Sequence, residues 1–255
     1  MMLDHFDLTG TVSVVTGGNG GIGLGLARGL AKAGSDVAIW ARDTARNRAA
    51  CEELAALGSG QIRAFACDVA EEEQIADAMG ETLRAFGKVD ACFANAGRSG
   101  GARRLDQMTP DAWSAVMQVN AQGVAMTYRH VTEHMIARGE GGKLIASSSG
   151  QSIMGVNRNA HYAASKAAVN GLTRAAAFEL ARYGIKANAL LFGYFETDMT
   201  AAADPRFHEW MMQRIPARKS GSVEGLEGLA VFFASPYSDY ITGQCLAVDG
   251  GLCIS

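Results

Sequence analysis

The sequence contains no CxxC pair, no long run of lysine and arginine, and no apolar stretch near the roughly 18–20 residues that cross a membrane. Each absence removes a class of protein. The five cysteines (Cys51, Cys67, Cys92, Cys245 and Cys253) are scattered and odd in number, so neither a zinc site nor a disulfide framework is expected. His5, His130, His134 and His208 form no ligand set with the carboxylates, and no metal is expected. A formal net charge of −3 argues against nucleic acid as the main partner. The opening MMLDHFDLTG carries two aspartates and no apolar core, unlike a secretory leader. These features lead us to expect a cytoplasmic chain with neither a membrane nor a nucleic-acid partner. No internal repeat of about 20–50 residues and no low-complexity linker divides it, so residues 1–255 are expected to form one domain.

What is present is apolar. A hydrophobic content of 48% over 255 residues is ample for an α/β core. Val12–Thr16, Val37–Trp40, Ile62–Ala66, Val89–Ala94, Lys143–Ser147, Ile185–Leu191 and Leu246–Val248 read as strands. Helical patterns fill the intervals: from the glycine turn to Ala33, Thr44–Leu57, Glu71–Phe86, one long stretch over Asp111–Ala137, Tyr162–Tyr183 and Val223–Ala234. Several strands are almost wholly apolar, as when helices cover both faces. The alternation predicts an α/β fold with a doubly wound parallel sheet of about seven strands. The least regular stretch, 193–221, carries Pro205, Pro216, Met199, Met211, Met212, Phe207 and Trp210. It reads as a substrate loop or lid, with a pair of capping helices as the plainer alternative.

Thr16–Gly23 reads TGGNGGIG between the first strand and its helix. Gly17, Gly21 and Gly23 let backbone approach a pyrophosphate, and the helix N-terminus offers free N–H groups. The pattern G-x-G-x-x-G also fits from Gly18 through Asn19 and Ile22 to Gly23, and glycine is dense enough that either register matches. The second strand ends in Ala41-Arg42-Asp43. Arg42 would favour a 2′-phosphate and Asp43 a ribose hydroxyl, so the cofactor expectation is NAD(P)(H), leaning to NADP(H). Asp68, after the third strand, would accept from an adenine or cap the next helix.

Tyr162 and Lys166 lie at i and i+4, on one helix face. A phenol with an ordinary pKa near 10 is a poor base at neutral pH, and a nearby ammonium lowers it. Ser147, Ser148 and Ser149 close the fifth strand just upstream, where a hydroxyl could bind a carbonyl. Asn120, between Val119 and Ala121, would bind a helix carbonyl or a water. Such a set suits proton transfer coupled to hydride transfer, the chemistry of an oxidoreductase.

These motifs, in this order, resemble the short-chain dehydrogenase/reductase family over essentially the whole chain, from Thr11 to Val248-Asp249-Gly250-Gly251. Within it the ETDMT and ITGQ…VDGG segments resemble 3-oxoacyl-(acyl carrier protein) reductases. The resemblance implies a single-domain Rossmann fold. It implies that Gly17, Asn19, Gly21, Ile22 and Gly23 hold the cofactor's phosphates, and that Asp68 and Val69 meet its adenine. Asn95-Ala96-Gly97 would lie beneath it, and Gly193, Phe195 and Thr197 would meet its nicotinamide. Asn120, Ser149, Tyr162 and Lys166 match the catalytic tetrad. Ser149 is chosen because it stands thirteen residues before Tyr162, with Ser148 as the fallback. Tyr162 would be acid and base, Ser149 would polarise the carbonyl, Lys166 would bind ribose and lower the phenol's pKa, and Asn120 would hold a water. Two departures stand out. Ala94 replaces the first amide of the family's NNAG, and Phe192 replaces a proline.

The resemblance implies a homotetramer and a small carbonyl or alcohol substrate. Thioester, sugar, polyol and secondary-alcohol substrates all stay open. Arg98, Arg103 and Arg104 would suit an acidic carrier protein or simply be solvated. His161 would touch substrate or merely rim the cleft. A nucleotide-binding regulator without turnover is the reading from a different class.

Overall fold

Strand β1 (Val12–Thr16) sends Val14 into one face of the sheet and Val15 into the other, and both are fully buried. Strand β2 (Asp36–Ala41) does the same with Ala38 and Trp40 against Val37 and Ile39. Two apolar faces on strands of period two explain why these runs are continuous rather than alternating. The computed structural model of the chain describes residues 6–197, 200 and 205–254.

The remaining strands are β3 (Ile62–Ala66), β4 (Ala91–Ala94), β5 (Gly142–Ser149), β6 (Ile185–Phe192) and β7 (Cys245–Val248). They form one seven-stranded sheet in the order β3-β2-β1-β4-β5-β6-β7, and every pairing is parallel. The helices are α1 (Gly21–Lys32), α2 (Thr44–Ala55), α3 (Glu72–Phe86), α4 (Pro110–Met117), α5 (Gly123–Arg138), α6 (Ala160–Leu180), α7 (Pro205–Arg214) and α8 (Glu227–Ala234). Helices α1, α2 and α8 bury Leu26, Leu30, Leu54 and Phe233 against one face. Helices α3, α5 and α6 bury Ile75, Val131, Met135 and Val169 against the other. The chain winds outward to β3, then returns to place β4 beside β1. That reversal opens a crevice at the carboxyl ends of β1 and β4, where open α/β sheets bind ligands.

The single helix expected over 111–137 is two helices. A π turn, Gln118–Gln122, joins α4 to α5 and carries Asn120 fully buried. One extra residue per turn shifts which side chain faces inward, and helical periodicity in the sequence does not reveal it. The expected lid contains α7, whose Met211 packs with Leu252 and with Ile215, the residue after the helix. Its Met199, and Asp198 beside it, lie outside the described residues. Among the described residues no helix is long and apolar enough to cross a membrane, and no group of three His, Cys, Asp or Glu side chains could hold a metal ion.

Trp40 is the largest fully buried side chain, and its indole N–H donates to Thr82 Oγ1 at 2.9 Å. Thr82 in turn donates to the Ala78 carbonyl at 2.7 Å. Thr82→Val keeps the volume and strands the indole N–H. Unfolding in urea should show a loss of about 1–3 kcal/mol; an unchanged midpoint would mean that the indole has another partner.

Candidate active site

The crevice is a cleft of about 1020 Å³. Its floor is the glycine turn. A Cβ on Gly23 would stand 2.2 Å from the Gly17 carbonyl oxygen, so α1 folds back on the turn only without a side chain there. Gly23 itself is buried behind the turn, whereas Gly17, Asn19, Gly21 and Ile22 line the cleft. The N-terminus of α1 has no side-chain cap and no acidic residue in its first turn. Its amide groups therefore remain available to an anion, and the cleft fits a dinucleotide.

One end of the cleft holds Arg42, Asp43, Arg46, Asp68 and Val69. Asp43 Oδ1 accepts from the N–H groups of Ala45 and Arg46 at 3.0 Å, capping α2. The carboxylate weighed as a ribose ligand is thus engaged as a helix cap. Asp68 accepts from Ala70 N–H at 3.0 Å and faces the exposed Arg42 guanidinium at 3.4 Å. Asn19 donates to Asn47 at 2.7 Å, and Asn47 donates to the Ala41 carbonyl at 2.9 Å, tying the glycine turn to β2. Sequence reasoning missed Asn47 and Arg46. Both follow Asp43 in the first turns of α2, where one helix face meets the cleft.

At the other end Ser149, Tyr162 and Lys166 line the cleft together. Lys166 Nζ is buried, donates to the Ser147 carbonyl at 2.7 Å, and lies 5.8 Å from the centre of the Tyr162 ring. Ser147 Oγ donates to Asn95 Oδ1 at 2.9 Å. Asn95 donates from Nδ2 to the Thr16 carbonyl at 3.1 Å, and Thr16 Oγ1 accepts from the N–H groups of Asn95 and Ala96 at 2.9 Å. These bonds run from α6 across β5 and β4 to the glycine turn. Ser148, the fallback, also lines the cleft, and its Oγ donates into α6, to the Lys166 carbonyl at 3.1 Å. Gly97 lines the cleft near Asn120 and Lys166.

Burial raises the Tyr162 pKa above the usual phenol value, and a hydrogen bond with Ser149 partly offsets it. Burial pulls Lys166 down to about 8. Burial is the largest influence on both groups. Asn120 is fully buried and lies beside the cleft rather than in its wall. Its Oδ1 accepts from Arg98 N–H at 2.8 Å, while Nδ2 donates to the Arg98 carbonyl at 2.9 Å and to Ser165 Oγ at 3.1 Å. His161 is fully buried behind the cleft, against Gly100, rather than on its rim.

Gly193, Phe195 and Thr197 line the cleft near the carboxyl end of β6, and Thr200, absent from the sequence reading, joins them. A Cβ on Gly193 would stand 2.7 Å from Asp249 Cα, so the approach that demands glycine is to the chain after β7. Phe192, in the place of a proline, pairs with Val248 of β7 and packs edge-on against Phe195 at 5.6 Å.

A dinucleotide cleft that ends in a serine, a phenol and a buried ammonium defines a nucleotide-dependent oxidoreductase. The family model described as enoyl-(acyl carrier protein) reductase matches residues 17–253. Gluconate 5-dehydrogenase of Gluconobacter oxydans is 37% identical over 254 residues, 99% of this chain and 98% of its own. A 3-oxoacyl-(acyl carrier protein) reductase of Chlamydia pneumoniae is 34% identical over 245 residues, 96% of this chain and 98% of its own. The crystal structure of a gluconate 5-dehydrogenase from Burkholderia cenocepacia in complex with NADP and tartrate superposes with a TM-score of 0.94 at 41% identity, covering 100% of both chains. The chain belongs to the short-chain dehydrogenase/reductase family. It is an NAD(P)-dependent oxidoreductase that interconverts a secondary alcohol and a ketone on a small-molecule substrate, and the reading as a silent regulator falls away.

The buried lysine sets a pH dependence of stability. Its folded pKa lies below its unfolded value, so the unfolded chain holds the proton more tightly. The cost of burying the charge is complete below pH 8 and is recovered as pH rises from 8 toward the unfolded value. It is on the order of 3 kcal/mol at neutral pH. Lys166→Met should therefore raise the melting temperature at pH 7, with an advantage that shrinks toward pH 10. A melting temperature lowered at pH 7 would show that the Ser147 bond outweighs dehydration.

Proposed function

We propose that Tyr162 is the acid of ketone reduction and the base of alcohol oxidation, and that Ser149 orients the substrate oxygen. The observation that carries this reading is the meeting of the Ser149 hydroxyl and the Tyr162 phenol in the wall of one cleft. Burial holds the phenol protonated, so in reduction Tyr162 gives its hydroxyl proton to the carbonyl oxygen, and in oxidation it takes the alcohol proton. Ser149 donates a hydrogen bond to the same oxygen. Lys166 keeps a positive charge beside the phenol, and Asn120 fixes the backbone of the loop after β4. When bound, NAD(P) supplies or accepts the hydride. Gly17, Asn19, Gly21 and Ile22 would hold its phosphates, with Gly23 closing the turn behind them. Arg42, Asp68 and Val69 would hold its adenosine, Asn95-Ala96-Gly97 would lie beneath it, and Gly193, Phe195 and Thr197 would meet its nicotinamide. Lys166 would reach its ribose.

The preferred cofactor is NADP(H). Arg42 is exposed at the adenosine end, with Asp68 opposite it at 3.4 Å, and the Burkholderia relative is named as an NADP complex. The substrate class is a polyhydroxylated carbon chain, supported by the two gluconate 5-dehydrogenases. Residues 1–255 act as one nucleotide-binding domain with 193–221 as the substrate lid, in the cytoplasm. The assembly is a homotetramer, supported by the exposed Ala167, Ala168, Ala175 and Phe178 along α6.

Tyr162→Phe should lower kcat by about 10²–10⁴-fold while NADP(H) binding is retained. Near-normal rates would remove Tyr162 from the reaction. Arg42→Ala should weaken NADP by about tenfold or more and NAD much less. Equal losses for the two nucleotides, or a native preference for NAD, would refute the 2′-phosphate role.

A further inference from the structure

The two carboxylates lining the cleft, Asp43 and Asp68, both sit at the adenosine end, one capping α2 and one facing Arg42. The end that holds Ser149 and Tyr162 carries a cation, Arg98, and, among the described residues, no carboxylate. Arg98 has no ion-pair partner among the described residues. Arg104, on the same loop, is held by both oxygens of Asp106 at 2.9 and 3.1 Å.

An exposed arginine is ordinarily just solvated. Arg98 differs in how it is rooted. Its N–H and its carbonyl are both fastened to the side chain of buried Asn120, at 2.8 and 2.9 Å. Its neighbour Gly97 stands so close to the reacting groups that a Cβ there would lie 3.5 Å from Lys166 Nζ. The backbone of Arg98 is thus fixed one residue from the one that approaches Lys166, and Arg98 is exposed and lines the cleft. The loop after β5 adds Arg158, whose carbonyl accepts from Arg103 N–H at 2.7 Å, so this loop and the one that carries Arg98 are tied together.

We infer that Arg98 reads a carboxylate on the substrate. The enzyme then prefers a hydroxy acid or keto acid, with its acid group a few carbons from the reacting carbon, over the neutral polyol of the same length. A guanidinium presents paired N–H donors that match a carboxylate, and a site built around that pairing discriminates against the analogue that lacks it. Asn120 serves as the positioning residue for this contact. The inference rests on the oxidoreductase reading of Ser149 and Tyr162, and it names the substrate class of that site.

The test pairs each acid with its neutral counterpart: D-gluconate with D-glucitol, and L-tartrate with L-threitol, oxidised with NADP⁺. The wild type should favour the acid of at least one pair in kcat/KM by about tenfold or more, and Arg98→Gln should remove most of that ratio through KM for the acid. Arg98→Lys, which keeps the charge and loses the paired donors, should fall between. Calorimetric titration of the same acid into NADP⁺-loaded Tyr162→Phe protein, with and without Arg98→Gln, should show the same contrast in binding without turnover. Ratios unchanged by Arg98→Gln overturn the inference, as does a loss confined to NADP⁺ affinity. If Arg98→Gln fails to fold, the wild-type ratio and Arg98→Lys decide. Turnover of neutral alcohols with no preference for acids sinks the role of Arg98 alone. No hydride transfer across a panel of alcohols and ketones sinks the underlying reading and this inference with it.

Discussion

A single ammonium, that of Lys166, sits dehydrated where the sheet opens, and the reacting end of the cleft is arranged around it. Its hydrogen bond to the Ser147 carbonyl fixes α6 against the end of β5. Ser147 passes the constraint to Asn95, and Asn95 to Thr16, so the phosphate turn and the catalytic helix are held by one series of side chains. A buried charge without such support would be expelled or would lose its proton. Here the support is geometric. The parallel register aligns Ser149 with Phe192, and Ala94 with Ala146, so the strand ends that bear these groups finish together.

The same arrangement divides the cleft by charge. At the adenosine end, arginines and carboxylates occur together, and the carboxylates are occupied with a cap or a pair. At the reacting end the polar groups among the described residues are hydroxyls, the Asn95 amide and cations. A negative charge that develops on a substrate oxygen meets donors there, the arrangement that electrostatic stabilisation requires. The π turn belongs to this scheme. It removes Asn120 from the helix surface and puts its amide to work on the backbone of Arg98, so the helix junction fixes a loop that lines the cleft.

Much of this was legible in the residues. The two-faced strands follow from runs such as Val12–Thr16, which admit no polar side. The phosphate turn follows from glycine density directly after a strand, and the Tyr162–Lys166 pair from helical spacing. What the sequence withheld was the destination of side chains with two plausible partners. Asp43 looks like a ribose ligand until α2 begins at Thr44 and takes its oxygen as a cap. Asn120 looks able to bind a helix carbonyl or a water, and the carbonyl it meets is that of Arg98 in a distant loop. Asn95 carries a family motif, yet its amide is directed at Thr16 and Ser147, contacts 79 and 52 positions away that no local pattern encodes. His161 stands beside the catalytic tyrosine in sequence and behind it in space, because neighbours on a helix point about 100° apart.

Dehydration also bears on the direction in which the resting site is set. Burial raises the pKa of the phenol and lowers that of the ammonium, so both groups are biased toward their uncharged forms. Near neutrality the phenol keeps its proton, and lysine, with a pKa near 8, keeps most of its own. A protonated phenol beside a cation is an acid awaiting a base, and a carbonyl oxygen gaining electron density is such a base. Oxidation asks the phenol to part with its proton before or as the alcohol gives up its own, and in a dry site this is feasible only when positive charge accumulates nearby. The two half-reactions therefore differ in what they require of Lys166. Reduction asks it only to stabilise the phenolate left behind, whereas oxidation needs its charge in place from the outset. The pH dependence of the two directions should separate accordingly near the pKa of this one lysine.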